Sequence, residues 1–404
     1  MPLGETELPR ANRGPTELFI SAVDASGDAH ASELLGALER RRPGLRTFGL
    51  GGQQLQRLGT EIHVPQHELA TAGLIEVVGM VPRVLRTWRR LERVARARRP
   101  RLAILVDAPD FHLPLARRLR RAGIPVLYYI GPNVLRWRRR RVHTVARSVD
   151  RLATIFPYEP PFYAKTSLRV DYVGHPLVEP VQRFAERCDR ASARDALGLD
   201  PQTAAVALAP GSRENELRHM LGLHLATARC LAAERPGVRF LLCIAPTMRR
   251  ETVEAALRDE PPLPIDLIEG ETLRALCAAD AVLAKPGTIT LEAALLGRPL
   301  VVAGRAHPLT AALLRRMVHE PCFALPNVIA GAPIVPEFLQ EAARPEALAG
   351  ALASLLDGPA RERQLAGFAK VRERLGEGAA SERTATIADA MLDAATPTGA
   401  PGTR

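Results

Sequence analysis

Short runs of apolar, β-favouring residues keep returning along the 404 residues, with helix-like stretches between them. "ELFISAV", "RLAILVD", "PVLYYI", "RLATIF", "AAVALA", "RFLLCI", "IDLIE", "AVLA" and "PLVVA" are each nearly continuous in apolar character. That is the pattern of strands buried on both faces. Strand–helix alternation of this kind builds parallel sheets from βαβ units. The alternation pauses once, at about residues 176–200, where "PLVEPVQRFAERCDRASARDALGLDP" is charged and lacks strand character. It restarts with "AAVALAPGSRENEL". The chain therefore reads as an α/β protein with two doubly wound, Rossmann-like domains facing a cleft. Residues 17–185 form the first and 195–375 the second, with a loose tail over 1–16 and a C-terminal helix and tail over 376–404. In such sheets ligands sit beyond the carboxyl ends of the strands, so chemistry is sought there.

The bulk numbers exclude several classes. No run of about 20 uncharged apolar residues exists, so no membrane-spanning helix is expected. The polar start "MPLGETELPRANRGPTE" has no apolar core of a secretory signal. The five cysteines, Cys188, Cys230, Cys243, Cys277 and Cys322, form no close pair. Free thiols in a reducing cytoplasm are expected, rather than disulfides or a zinc site. The net charge of +11 invites a nucleic-acid or anionic-membrane partner. A genome-wide codon bias explains it equally well, because only Lys165, Lys285 and Lys370 are lysines among 55 basic residues. Aromatic residues make up 4% of the chain, too few for interleaved base stacking, so no nucleic acid is expected.

Several motifs fall at strand ends. "DASGDAHASELLGAL" follows the first strand. Ser26, Gly27 and Asp28 let a backbone approach a ligand and open a helix, whose first N–H groups point outward. The plainer reading is an Asp/Ser helix cap. The glycines of "FGLGGQQLQRLG" read as a structural turn. In "LAILVDAPDFHLPLA", Asp107 closes a wholly apolar strand, with Pro109, Asp110 and His112 after it. A carboxylate there can serve as general base, or can cap the next helix. His112 reads as an ordinary surface or capping residue. "YYIGPNVLRWRRRRV" places Asn133 in a turn, and "VDYVGHPLVEP" puts His175 at the cleft end of the first domain. In the second domain, "VALAPGSRENEL" sets Gly211, Ser212 and Arg213 between strand and helix. This is a phosphate-binding arrangement: an open glycine turn, helix amides and a forked cation. It lacks the lysine of an NTPase loop. In "AVLAKPGTITLEAALLGRPLVV", Gly287 and Thr288 sit at a helix start. Glu292, a turn further on, can accept from a ribose diol.

Taken in order, "DASGD", "VDAPDF", "RWRRRRV", "FPYEPPFYAK", "YVGHPL", "APGSRENEL", "GTITLEAAL" and "LPNVIAG" resemble the blocks of the lipid-A-disaccharide synthases, inverting glycosyltransferases of the GT-B type, from about Phe19 to Ala390. The resemblance implies transfer from UDP-2,3-diacylglucosamine to the 6-hydroxyl of 2,3-diacylglucosamine 1-phosphate, giving a β-1′,6-linked disaccharide and UDP. It makes Asp107 the base and places Arg213 at phosphate. Glu292 falls at the UDP ribose, and Asn327 matches an active-site asparagine. It assigns Asp24, Ser26, Gly27, Asp28, Asp110, Asn133 and His175 to the acceptor or cleft side. No metal or other cofactor is implied. The chain departs from the family at Asp24, at Gly131–Leu135, at Pro286 and at Ala72-Gly73. A divergent relative with another lipid acceptor, or another UDP-sugar enzyme of the same architecture such as an epimerase, stays open, as does a non-enzymatic basic binding protein.

One segment points to a membrane surface. In "VPRVLRTWRRLERVARARRPR", Val81, Val84, Leu85, Trp88, Leu91 and Val94 make an apolar stripe, while Arg89, Arg90, Arg93 and other arginines crowd the rest. Such a helix suits an anionic headgroup layer, with Trp88 at the interface. A stripe packed on the first domain's own sheet is the alternative. The protein is expected in the cytoplasm, held peripherally on the inner face of the inner membrane; a homodimer is left open.

Overall fold

The computed structural model describes residues 16–394, apart from 70–76, 133–140, 246–247, 249, 259–260 and 306–321. Its described strands form two sheets, and every pairing in them is parallel. The first contains β1 (Glu17–Ala22), β2 (Arg46–Gly51), β3 (Glu61–Pro65), β4 (Leu102–Val106), β5 (Val126–Tyr129), β6 (Arg151–Thr154) and β7 (Arg169–Tyr172), in the order β3-β2-β1-β4-β5-β6-β7. The second contains β8 (Ala205–Ala209), β9 (Arg239–Ile244), β10 (Ile265–Glu269), β11 (Ala281–Ala284), β12 (Leu300–Gly304) and β13 (Glu337–Leu339), in the order β10-β9-β8-β11-β12-β13. Strand order thus reverses between β1 and β4 in one sheet and between β8 and β11 in the other. Those two gaps are the topological switch points.

The helices that bear on the site are labelled in chain order: α1 (Ala25–Arg41), α2 (Val77–Arg98), α3 (Pro109–Arg121), α4 (Val178–Arg187), α5 (Glu214–Glu234), α6 (Thr288–Leu295), α7 (Leu325–Ala330) and α8 (Ala380–Ala394). The pleat divides the first sheet's side chains between two cores. Leu18, Ile20, Leu102 and Ile104 face α1 and α8, whereas Phe19, Ala103 and Leu105 face α2 and α3. With both faces covered, the central strands are almost wholly apolar, buried Ser21 of β1 being satisfied by His112.

Four strands lie outside the nine apolar runs. β3, β7 and β13 are short edge strands, where one side meets solvent and charged residues intrude. β2 runs through the "FGLG" stretch expected to be a turn. Gly49 is needed there: its φ is +151°, and a Cβ would lie 2.0 Å from the carbonyl oxygen of Ile20. The glycine lets β2 close on β1 rather than ending it.

The domains share a joint. An apolar cluster runs from the first sheet through Val173 and Val178 to Leu291, Leu325, Ile329 and Leu375 of the second. Nearby, the Tyr172 hydroxyl donates to the Leu375 carbonyl oxygen at 2.8 Å. The chain then crosses back, and α8 packs on α1. Arg42 pairs there with Asp389 at 2.7 Å, and Arg40 pairs with Glu382. The last described helix therefore completes the first domain's outer layer.

Candidate active site

At the first switch point, Asp24 ends the loop after β1. Its extended backbone lets the carboxylate accept from the Gly27 N–H at 2.7 Å, which caps α1. Gly27 has no side chain, and its Cβ position lies 3.2 Å from the Asp24 carboxylate and 3.7 Å from the Val106 carbonyl oxygen. The start of α1 therefore lies over the end of β4. Ser26 is exposed, with its hydroxyl 3.5 Å from Nε2 of His30. Nδ1 of His30 is buried and has no hydrogen-bond partner among the described residues.

Across the gap, Asp107 follows β4 with φ of +53°, and Ala108 follows with +45°. Two successive non-glycine residues in the left-handed region cost about 1–3 kcal/mol each and persist only where the surroundings hold them. Several bonds do so. The Asp107 N–H donates to the Tyr129 carbonyl at 3.0 Å, while its own carbonyl oxygen accepts from the Tyr128 hydroxyl at 2.9 Å and from Nδ1 of His112 at 2.7 Å. A carbonyl only accepts, so the proton is on Nδ1. The bare Nε2 then accepts from the Ser21 hydroxyl at 2.8 Å. Burial pushes His112 down to about 4, which keeps the ring neutral. Burial pushes the Asp107 carboxyl above its ordinary value; the Ala108 N–H opposes this, and the negative charge of Asp24 adds to it. The result is a partly desolvated carboxyl poised to take a proton.

The second switch point has the opposite character. Gly211 has φ of +143°, so the turn after β8 folds sharply into α5. Arg213 occupies the N-cap of α5 and Gly287 that of α6, and neither helix has a side-chain cap. Their first N–H groups are a ready anion site. Gly211, Ser212, Glu216, Lys285, Gly287, Thr288 and Glu292 border a cavity of about 230 Å³. Inside it, Nζ of Lys285 lies 2.8 Å from Oε1 of Glu216, and the Ser212 N–H donates to Oε2 at 3.1 Å. Burial pushes Glu216 upward, but Lys285, the Ser212 N–H and Arg213 outweigh it and hold the carboxyl below its ordinary value. Burial alone raises Glu292. Burial, with Glu292 beside it, pushes the Cys243 thiol up to about 12, so this wall of the cavity keeps its proton.

Other expected residues turn away from these sites. Asp28 is buried, and its two oxygens accept from the N–H groups of Gly52 at 2.7 Å and Gln54 at 2.9 Å. It ties α1 to the loop after β2 and, being buried, is not presented to an acceptor. The Asp110 side chain is 85% exposed and pairs with Arg141 at 2.8 Å. His175 is buried against the Phe156 ring, and its Nδ1 accepts from the Leu177 N–H at 3.2 Å. Burial, with His30 nearby, takes it down to about 3. Asn327 is buried too. Its amide donates to the Val335 carbonyl at 2.8 Å and to Glu337 at 2.7 Å, while its oxygen accepts from the Val335 N–H at 2.7 Å. Both N–H groups are spent latching α7 to β13, so donor contact by this amide is not what the structure presents. Asn133 and Ala72-Gly73 lie outside the described residues.

Trp88 is corrected in the same way. Its indole N–H donates to the Phe111 carbonyl oxygen at 3.1 Å, and its ring packs on Phe111 and under Arg118. The stripe of α2 buries Val84, Trp88, Leu91 and Val94 against the first sheet's core, which is the alternative reading of that segment. Arg89, Arg90 and Arg93 stay exposed.

Sequence reasoning missed His112 as a support and passed over Tyr128, Glu216 and Lys285. A signal existed for Lys285: it is one of only three lysines in an arginine-rich chain, and it directly follows a buried strand.

A family model described as lipid-A-disaccharide synthetase matches residues 18–390. A lipid-A-disaccharide synthase from Anaeromyxobacter sp. (strain K) is 42% identical over 373 residues, covering 91% of this chain and 96% of that protein. The chain belongs to the lipid-A-disaccharide synthase family. A second member, from Pseudomonas aeruginosa (strain UCBPP-PA14), is 43% identical over 338 residues, covering 84% of this chain and 89% of that protein. Among solved structures, the glycotransferase of kitacinnamycin aligns with TM-score 0.61 at 17% identity, over 94% of this chain and 100% of that one. The Neisseria meningitidis UDP-GlcNAc 2-epimerase bound to UDP-GlcNAc also aligns with TM-score 0.61, at 13% identity and the same coverage. At these identities the likeness concerns the fold, which is the two-domain GT-B architecture of the synthase family.

Proposed function

We propose that the chain is an inverting glycosyltransferase that condenses UDP-2,3-diacylglucosamine with 2,3-diacylglucosamine 1-phosphate, forming the β-1′,6-linked disaccharide 1-phosphate and UDP. The observation that carries this is the family match over residues 18–390. The switch-point geometry supports a division of roles. Asp107 takes the proton of the acceptor 6-hydroxyl as its oxygen attacks the anomeric carbon. The bond from that carbon to the diphosphate oxygen breaks on the opposite face. UDP leaves with the bonding pair, stabilised by Arg213 and by the N–H groups opening α5 and α6. Glu292 accepts from the ribose diol. Asp24, Ser26 and Gly27 border the acceptor's side.

Mass spectrometry of products from the purified protein with both lipid substrates tests this. The expected product is a tetra-acylated disaccharide monophosphate. Free UDP-sugar epimerised at C2, with no disaccharide, would replace this reading with an epimerase.

We infer further that the protein works on the cytoplasmic surface of the inner membrane. Among the described residues, no helix is long and apolar enough to cross a bilayer. Arg89, Arg90 and Arg93 on the outer face of α2 supply the attraction, each worth about 1 kcal/mol near an anionic surface. With Trp88 packed inward, the binding rests on charge, so it is expected to need anionic lipid and to fall with salt. Substituting the three arginines by glutamine should weaken co-sedimentation with vesicles containing anionic lipid. Binding that ignores both salt and those substitutions defeats the inference.

A further inference from the structure

The anion site at the second switch point is filled by the protein's own carboxylate. Glu216 lies in the first turn of α5. One of its oxygens takes the Ser212 N–H and the other takes the Lys285 ammonium. The carboxylate leans over Gly211, where a Cβ would come within 2.8 Å of Oε2. A glycine is required there for the carboxylate to reach the turn as much as for any ligand to do so. Lys285 and Glu216 both border the cavity, with side chains 30% and 20% exposed, so an entering ligand can reach the pair. A turn N–H and an ammonium, a few ångströms apart and beside two uncapped helix starts, are what a phosphate oxygen needs.

Resting on the assignment of UDP to this domain, we propose that Lys285 and the Ser212 N–H form the subsite for a diphosphate oxygen, and that Glu216 is an internal placeholder which the diphosphate displaces. Glu216 holds Lys285 in position whenever no nucleotide is bound, because an unpaired ammonium in a half-buried cavity would be costly. When the nucleotide arrives, Lys285 and the Ser212 N–H exchange one anion for another, and Glu216 turns toward solvent. The same carboxylate competes for the subsite when UDP has to leave. Lys285 is then a specificity-determining residue for the diphosphate, separate in role from Arg213.

Calorimetry on the full chain tests this with UDP, uridine and pyrophosphate as probes. In Glu216→Gln the competing charge is gone, so UDP and pyrophosphate are expected to bind about tenfold more tightly. In Lys285→Met they are expected to bind about 10- to 150-fold more weakly, the loss of one charge-assisted bond. Uridine affinity should stay unchanged in both. Thermal melts check that each variant is folded, and either variant alone decides the point if the other fails to fold. Weaker UDP binding in Glu216→Gln, or unchanged UDP binding in Lys285→Met, overturns the proposal while leaving the donor assignment standing. Failure of the unsubstituted protein to bind UDP at all overturns both.

Discussion

The two switch points are built on the same topology and carry opposite electrostatics. Between β1 and β4 the chain gathers carboxylates, Asp24 and Asp107, over a neutral buried histidine, and Asp107 is raised. Between β8 and β11 it gathers Arg213, Lys285 and two uncapped helix starts, and Glu216 is lowered. The backbone rule that a ligand sits where strand order reverses points to both. What each can do is set by which charge the following loop supplies. One end is suited to receiving a proton and the other to holding an anion.

Asp107→Asn tests the first end most sharply. It should lower turnover by ~10²–10⁴ and leave UDP affinity alone, because it removes the proposed base without touching the second sheet. Steady-state kinetics beside UDP calorimetry would show it; near-normal turnover would break the contrast. Asp28→Ala should cost roughly 2–4 kcal/mol of stability in urea unfolding, since two partly buried N–H groups lose a charged acceptor. A loss below about 0.5 kcal/mol would mean that the loop after β2 is not held as described. At the other end, Arg213→Ala should weaken UDP binding by roughly 1.5–3 kcal/mol while leaving the pH profile of kcat in place. The smallest effect is the most diagnostic. The negative charge on Asp24 disfavours a second one on Asp107, so removing it in Asp24→Asn should lower the Asp107 pKa. Asparagine still caps α1. The acid limb of kcat/KM should therefore move to lower pH, and a shift to higher pH would contradict the coupling.

Much of this was legible from the chain alone, for physical reasons. The central strands sit under helices on both faces and are almost wholly apolar, so β1, β4, β8 and β11 stand out, and the residues just after them follow. Edge strands carry no such constraint, and β3, β7 and β13 pass for loops. β2 hides because Gly49 serves close packing against Ile20, while glycine in sequence reads as a turn. The site's supports were harder to see. The value of His112 lies in two hydrogen bonds, to Asp107 and to Ser21, that strand and helix patterns do not encode. Asp28 and Asn327 failed in the other direction. Both have the chemistry of ligand-binding residues, and both spend it on groups that only the folded chain brings near: backbone N–H groups for Asp28, the Val335 backbone and the Glu337 carboxylate for Asn327.

The docking of α8 on α1 has a consequence for how the molecule comes into being. Arg40 and Glu382 are 342 residues apart, so α1 is made long before the helix it packs against. Domains tend to form in turn as a chain emerges from the ribosome, yet here the first one keeps an apolar flank uncovered until the second has been completed. Leu34 and Leu38 of α1 share that core with Ala385, Ala388 and Leu392 of α8. Synthesis that stops before α8 leaves the second domain's sheet whole and the first domain's layer open.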